Sequence, residues 1–350
     1  MKSLQTLSIL FFGIMSQISY GQFTDEINSN RPGKSMMAYA VGKKIIQAET
    51  GLTYVSEDHN LLNYQAKGFM GELVLRYGVW KEELEVIGEI QYQKDNLTSG
   101  AFEESRSGFK QLTLGAKYLI YDPFKNYEEK VNIYSWKANK KFKWRQFIPA
   151  FAMYAGANFS VGETPFNYAP ANIEEPSFSP KVTAIAQNHF GGRWVLVTNL
   201  TYDKIGTDFA TINYILTLTR GFNEKWSGFI ENQGIDGDYY SDSILRGGAA
   251  YLLKSNLQID ASVSTNFKDT PTIFYGGVGV SWRFDEKYQP IKVEIGEGAE
   301  KRAGSKKKKD KQKKEAKKLA LQYRDNTSQM YRACSFSLLH SAGKPCQECV

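Results

Sequence analysis

Acidic, basic and amide side chains recur at alternate positions through the middle of this sequence: Gln47 and Glu49, Glu72 and Arg76, Glu85, Glu89 and Gln91, Lys117, Arg246, Asp260. If the segments carrying them pair as hairpins, Glu49, Glu72, Arg76, Glu89 and Gln91 converge on one wall. Such a wall supports one of two chemistries. It sorts solutes by charge, as rings of side chains do in pores, or its charges satisfy one another in a packed interior. Acid–base or nucleophilic catalysis needs a nucleophile with a base in hydrogen-bond reach. The histidines do not offer this: His59 is expected in an outer loop, His189 in an inner turn and His340 in the terminal stretch, none within a strand beside a serine. No metal-ligand spacing occurs in the body of the chain. Cys334, Cys346 and Cys349 all lie near the end, where Cys346-Gln347-Glu348-Cys349 is a lone pair without a redox or zinc context. No enzyme activity, cofactor or metal is expected.

The elements that must position these side chains are strands. From Ile45 onward, segments of about ten residues alternate apolar and polar side chains and are separated by turn residues, the pattern of a membrane-spanning barrel. Twelve segments fit. Leu52 and Tyr54 oppose Glu49 and Gly51 in the first; Leu73, Leu75 and Tyr77 oppose Glu72 and Arg76 in the second. Leu112, Leu114, Ala116 and Tyr118 oppose Gln111, Thr113 and Lys117 in the fourth. The fifth is placed near residues 146–159 and includes Phe147; the sixth, near 181–188, is the weakest, with Pro180 at its start and Asn188 on its apolar face. A Lys or Arg facing lipid near the midplane costs ~2 to 4 kcal/mol. A one-residue slip would expose Arg76, Lys117 and Arg246 together, so the polar faces must point inward. A soluble all-β sandwich also alternates, but it leaves the aromatic placement and the closing segment unexplained.

The ends differ from the body. Lys2, the apolar run from Leu7 to Met15 and the small residues before Gln22 read as a signal peptide over 1–21, cut after Gly21. Residues 22–42 form a lead-in or plug segment, 43–285 the barrel, and 286–350 a basic tail, disordered or helical, expected in the periplasm. The formal charge of +7 is carried by that tail: residues 301–318 alone contribute +9, leaving −2 elsewhere. A nucleic-acid partner is therefore not implied. The tail offers instead an electrostatic contact with a periplasmic or envelope protein. Connections after even-numbered strands are mostly short, apart from the long stretch at 122–144. Those after odd-numbered strands are mostly longer, near 56–66, 94–107, 160–179 and 234–242, although the one near Gly206 is brief. This parity puts Trp80, Trp194, Trp226 and Trp282 at the periplasmic end, as an interfacial girdle requires.

The run Gly276–Phe284 has apolar or small residues at every second position, with Val278, Val280, Trp282 and Phe284 on one face. It resembles the C-terminal signal read by the barrel assembly machinery. The start, Asn28-Ser29-Asn30-Arg31-Pro32-Gly33, then Val41-Gly42-Lys43 and Gln47-Ala48-Glu49-Thr50-Gly51, resembles the transporter-like barrels of the MetA-pathway phenol-degradation family. That family opens with Asp-Arg-Pro, then Val-Pro-Lys-Gly; here Asn30 stands for the Asp and Gly42 for the Pro. The resemblance implies an all-β transmembrane antiparallel barrel of the Gram-negative outer membrane, in contact with lipid and carrying small solutes, hydrophobic or aromatic ones included. Glu49, Glu72, Arg76, Glu89, Gln91, Lys117, Arg246 and Asp260 would line its lumen. Arg31 sits either on a plug folded into the lumen, where it would meet the acidic wall, or on an ordinary periplasmic lead-in. The alternative function is a non-conducting barrel serving as a structural or assembly subunit.

Overall fold

The computed structural model describes residues 27–125, 144–161, 165–166, 168, 173, 175–190 and 193–284. The signal segment, the basic tail with its cysteines and His340, and most of the 122–144 connection lie outside the described residues. Twelve strands follow one another: β1 (Ile46–His59), β2 (Tyr64–Gly78), β3 (Leu84–Ser99), β4 (Phe102–Tyr121), β5 (Ala150–Phe159), β6 (Phe178–Phe190), β7 (Trp194–Asp203), β8 (Thr211–Gly221), β9 (Trp226–Gly237), β10 (Asp242–Lys254), β11 (Leu257–Asn266) and β12 (Thr272–Phe284). Each pairs antiparallel with its neighbour, and β1 pairs with β12 from Ile46↔Phe284 to Asp58↔Thr272. Closure leaves no sheet edge, so every strand finds backbone partners on both sides.

The burial pattern is the reverse of a soluble protein's. Arg76, Lys117, Glu49 and Glu85 are fully buried, whereas Leu52 and Leu114 are more than half exposed. That excludes the sandwich, whose apolar faces would be the covered ones. The outer wall carries an apolar band bounded by aromatic side chains. At the short-link end stand Trp80, Trp194, Trp226 and Trp282, with the Arg220 guanidinium 4.9 Å from the centre of the Trp194 ring. At the other end Tyr54 meets Phe69, Tyr92 meets Phe109 and Phe159 meets Phe178, all edge to face. No helix among the described residues is long and apolar enough to cross a membrane. Leu114→Arg, at the exposed outer face of β4, is expected to cost ~2 to 4 kcal/mol of folding free energy in lipid vesicles. An equilibrium urea titration checks this against Thr113→Arg, which turns its charge into the polar bore.

Several strands run further than the apolar alternation implies. β1 and β2 are joined by residues 60–63 alone, β3 and β4 by Gly100-Ala101, and β9 and β10 by residues 238–241. Most of the stretches expected as loops at 56–66, 94–107 and 234–242 are thus ladder. Apolar outward residues stop where the hydrocarbon stops, but backbone groups beyond it still gain by pairing. The β3–β4 link is tight enough to need a left-handed residue, and Gly100 supplies it at φ +60°. Phe147 is not on β5; it belongs to a short 3-10 turn, Trp144–Phe147, and packs edge-on against Phe190. β6 is complete despite Pro180, because that residue lies opposite Ala157 on one side and beyond the start of the β7 ladder at Val182 on the other. The histidines are also corrected: His59 ends β1 and His189 lies within β6.

Candidate functional site: a charged bore occupied by the N-terminal segment

Residues 27–45 enter the barrel rather than leading up to it. Ile27, Ser29, Ser35, Ala38, Val41 and Ile45 are all buried, and the Ile27 amide donates to the Ser255 carbonyl at 2.7 Å in the short-link end. The best-defined anchor is Arg31. Strand register sets Glu72 beside Gly51, Gly51 beside Gly279, and Gly279 beside Asp260, one row across β2, β1, β12 and β11. The guanidinium lies over the two glycines and bonds outward to both acids: Nη1 donates to Glu72 Oε2 at 3.1 Å, Nη2 to Asp260 Oδ1 at 3.1 Å and Nε to Asp260 Oδ2 at 3.3 Å. A Cβ at Gly51 or Gly279 would overlap the guanidinium. The absence of two side chains creates the socket, and the flanking carboxylates fix the plane of the guanidinium.

The rest of the segment is held in the same way, by wall side chains reaching its backbone. Glu231 accepts from the Lys34 amide at 3.0 Å and the Ser35 amide at 3.3 Å, while Thr217 and Arg246 donate to it from the wall. Lys34 Nζ reaches Glu72 at 2.5 Å. Arg76 donates to the Asn28 carbonyl at 2.7 Å and the Tyr39 carbonyl at 3.3 Å, and Lys117 to the Met37 carbonyl at 2.6 Å. Glu85 accepts from the Val41 amide at 2.8 Å, and Gln187 from the Ala38 amide at 2.9 Å. An irregular stretch inside a barrel has backbone groups with no ladder to join, and the polar wall supplies their partners.

The wall charges form three groups. Arg76 bridges Glu49 at 3.1 Å and Glu85 at 3.0 Å, with Lys117 on Glu85 at 2.7 Å. Glu72 and Asp260 hold Arg31, and Gln91 donates to both Glu89 at 2.8 Å and Glu72 at 3.4 Å. Arg246 pairs with Glu231 across the bore-facing side of β9 and β10. Glu49, Glu72, Arg76, Glu89 and Gln91 lie together on the wall of β1–β3, where hydrogen bonds join Arg76 to Glu49 and Gln91 to both Glu72 and Glu89. Glu85 and Glu231 stand at the same inward parity as the site candidates and were missed as site residues. Ile87, Leu119, Ala150, Ala152 and Ile185 also face inward, packing with Met36, Ala38 and Tyr39 of the segment. One side of the bore is thus apolar and the other charged. Val278, Val280, Trp282 and Phe284 face outward on β12, all exposed.

Two of the three departures from the opening pattern that the start resembles have local explanations; the third, Lys44 in place of glycine, does not. Asn30 Oδ1 accepts from the Met37 amide at 3.0 Å, closing the turn of the segment, a role that an amide oxygen fills as well as a carboxylate. Gly42 adopts φ +98°, which proline cannot reach, and Lys44 takes φ 62°, the left-handed region, where the family pattern has glycine.

At the loop end, Arg106 grips Asp95 through two bonds of 2.9 Å and donates to the Pro165 carbonyl at 3.1 Å, with Phe166 under its guanidinium. Tyr168 stacks on Tyr240 at 4.5 Å and points its hydroxyl at Glu57. Burial raises the Tyr168 and Tyr240 hydroxyls well above the usual phenol range, and the hydrogen bond to Asp242 adds to the rise at Tyr240, so both stay protonated donors. The histidines do no comparable work: His59 Nδ1 accepts from the Leu62 amide, and His189 Nε2 pairs with Gln187. No group of His, Cys, Asp and Glu among the described residues is arranged to hold a metal.

No curated protein matches the sequence. Among solved structures, an outer membrane channel from Pseudomonas putida F1 is similar at 13% identity and a TM-score of 0.48, over 74% of this chain and 100% of that one. The translocator domain of the autotransporter NalP from Neisseria meningitidis is similar at 11% identity and 0.42, over 69% and 88%. The toluene transporter TodX from Pseudomonas putida is similar at 10% identity and 0.40, over 77% and 98%. Residues 29–284, from the anchoring segment to the last residue of β12, match the model of the family described as a putative MetA-pathway of phenol degradation, and the chain belongs to that family.

Proposed function

We propose that this outer-membrane barrel is a passive channel for small solutes, aromatic ones included, and that its N-terminal segment is the plug that closes it. The observation carrying the reading is the way the segment is held. Ile27, Ala38, Val41 and Ile45 are buried and Met36 and Tyr39 pack on the apolar wall, but the remaining attachments are hydrogen bonds and ion pairs, each of which water can replace when the segment withdraws. The bore that remains would have one wall of Ile87, Leu119 and Ile185 and another of Glu72, Arg246 and Asp260. That asymmetry suits a molecule with an apolar ring and a polar substituent. A barrel serving only as a structural subunit has no need of a separable filling.

Planar-bilayer recording tests the reading. The full chain is expected to open rarely, and a variant lacking residues 27–44 to conduct steadily, with open probability raised at least about tenfold, the equivalent of ~1.4 kcal/mol lost from the closed state. If both proteins are correctly assembled yet silent, the channel reading fails.

A further inference from the structure

The loop end of the bore contains a slot that closure by the N-terminal segment does not require. Its floor is the Tyr240 ring, fixed at its hydroxyl by Asp242, which in turn accepts from Asn266 at 2.8 Å. Lys268 Nζ lies 4.4 Å from the centre of that ring. Tyr168 stacks on the same ring with planes 12° apart. The end of the slot is Glu57, 5% exposed, whose Oε1 accepts from the Tyr275 hydroxyl at 3.1 Å. Its Oε2 faces the Tyr168 hydroxyl at 3.4 Å. Among the described residues, Glu57 forms no ion pair with a Lys or Arg. Floor and end come from β1, β12 and the β9–β10 link, and their own contacts hold them without Tyr168.

We infer that this slot is a recognition site for the phenolic ring of a solute, and that Tyr168 fills it as a tethered surrogate. The side chain in place is itself a para-substituted phenol, stacked on an aromatic floor and directed at a carboxylate. Both Glu57 oxygens accept from tyrosine hydroxyls, so the slot calls for a donor on the ring; a hydroxylated aromatic supplies one and a plain hydrocarbon does not. At 3.4 Å the Tyr168 hydroxyl stands farther from Oε2 than the ~2.7 Å of an ordinary O–H···O bond, a gap that a free phenol can close. The Lys268 ammonium over the Tyr240 ring adds a cation–π contact to the floor. The site deepens the channel reading by naming a class of solute, but the binding it requires does not depend on conduction.

Isothermal titration of the purified full chain in detergent, with phenol and with toluene, tests the inference. Tyr168→Ala empties the slot and is expected to lower the phenol Kd at least about tenfold, with no matching gain for toluene. Adding Glu57→Leu to that variant is expected to abolish the gain. Tyr168→Phe keeps the stack but removes the competing donor, and a gain of about threefold is expected from it even if the alanine variant fails to assemble. The inference is overturned if neither Tyr168 variant gains affinity, if toluene gains as much as phenol, or if the gain survives loss of the Glu57 carboxylate. Phenol binding with every variant silent in the bilayer would remove the channel and keep the slot. Steady conduction without any gain for phenol would do the reverse.

Discussion

Leucine in place of Gly279 is expected to convert the closed barrel into a conducting one. The Arg31 guanidinium lies where that side chain would be, and the strand cannot yield, because Gly279 is paired on both sides, to Gly51 and to Asp260. Evicting Arg31 breaks its charge-assisted bonds to Glu72 and Asp260 together. Such bonds contribute ~1.5 to 3 kcal/mol each, so an increase in open probability of at least about tenfold is expected. Gly51→Leu, from the neighbouring strand, is expected to act alike. Gly276→Leu is the control: it sits on the same strand but faces outward with room for a side chain, and conduction should be unchanged. If the Gly279 and Gly51 variants assemble and stay as closed as the parent, Arg31 is not the anchor.

The second large effect is expected at Arg76. It is fully buried, bridges Glu49 and Glu85, and donates to two carbonyls of the N-terminal segment. Arg76→Met leaves Glu49 buried without its ion-pair partner, since Lys117 pairs with Glu85. Removing one partner of a buried pair typically costs ~3 to 5 kcal/mol, the larger part being the stranded charge. Urea-dependent folding into lipid vesicles should register that loss, and Glu49→Gln added to Arg76→Met should restore a substantial part of it. A loss below ~1 kcal/mol, with no rescue, would mean that water reaches the cluster and that the interior is not packed as described.

The difference between what alternation can and cannot encode runs through these residues. Arg76, Lys117 and Arg246 are assignable to the interior from sequence alone, because one face of every strand must satisfy hydrocarbon and a charge cannot. The strand count and the aromatic ends follow from the same constraint. Strand lengths do not, since the constraint ends with the lipid while the backbone ladder continues to Ser99 and Phe102. The Arg31 socket was not legible for a different reason. Glu72, Gly51, Gly279 and Asp260 become neighbours only when β1 meets β12 and every register is set, and a glycine in a strand gives no sign of what will lie over it. The inward-facing Ile87, Leu119 and Ile185 break the polar parity of their strands. That break is a sequence signal, beside the plug reading of Arg31, that something other than water fills the bore.

The account depends on residues 27–45 lying inside the barrel while it is in the membrane. Ser29 and Ser281 place their hydroxyl oxygens 2.7 Å apart, one on the segment and one on the wall of β12. With Cys334, Cys346 and Cys349 changed to serine, Ser29→Cys and Ser281→Cys together should cross-link in intact outer-membrane vesicles on mild oxidation. Mass spectrometry should recover the linked peptides as the main product, and a water-soluble maleimide should label neither thiol. Free, fully labelled thiols in a correctly assembled barrel would show that the segment lies elsewhere.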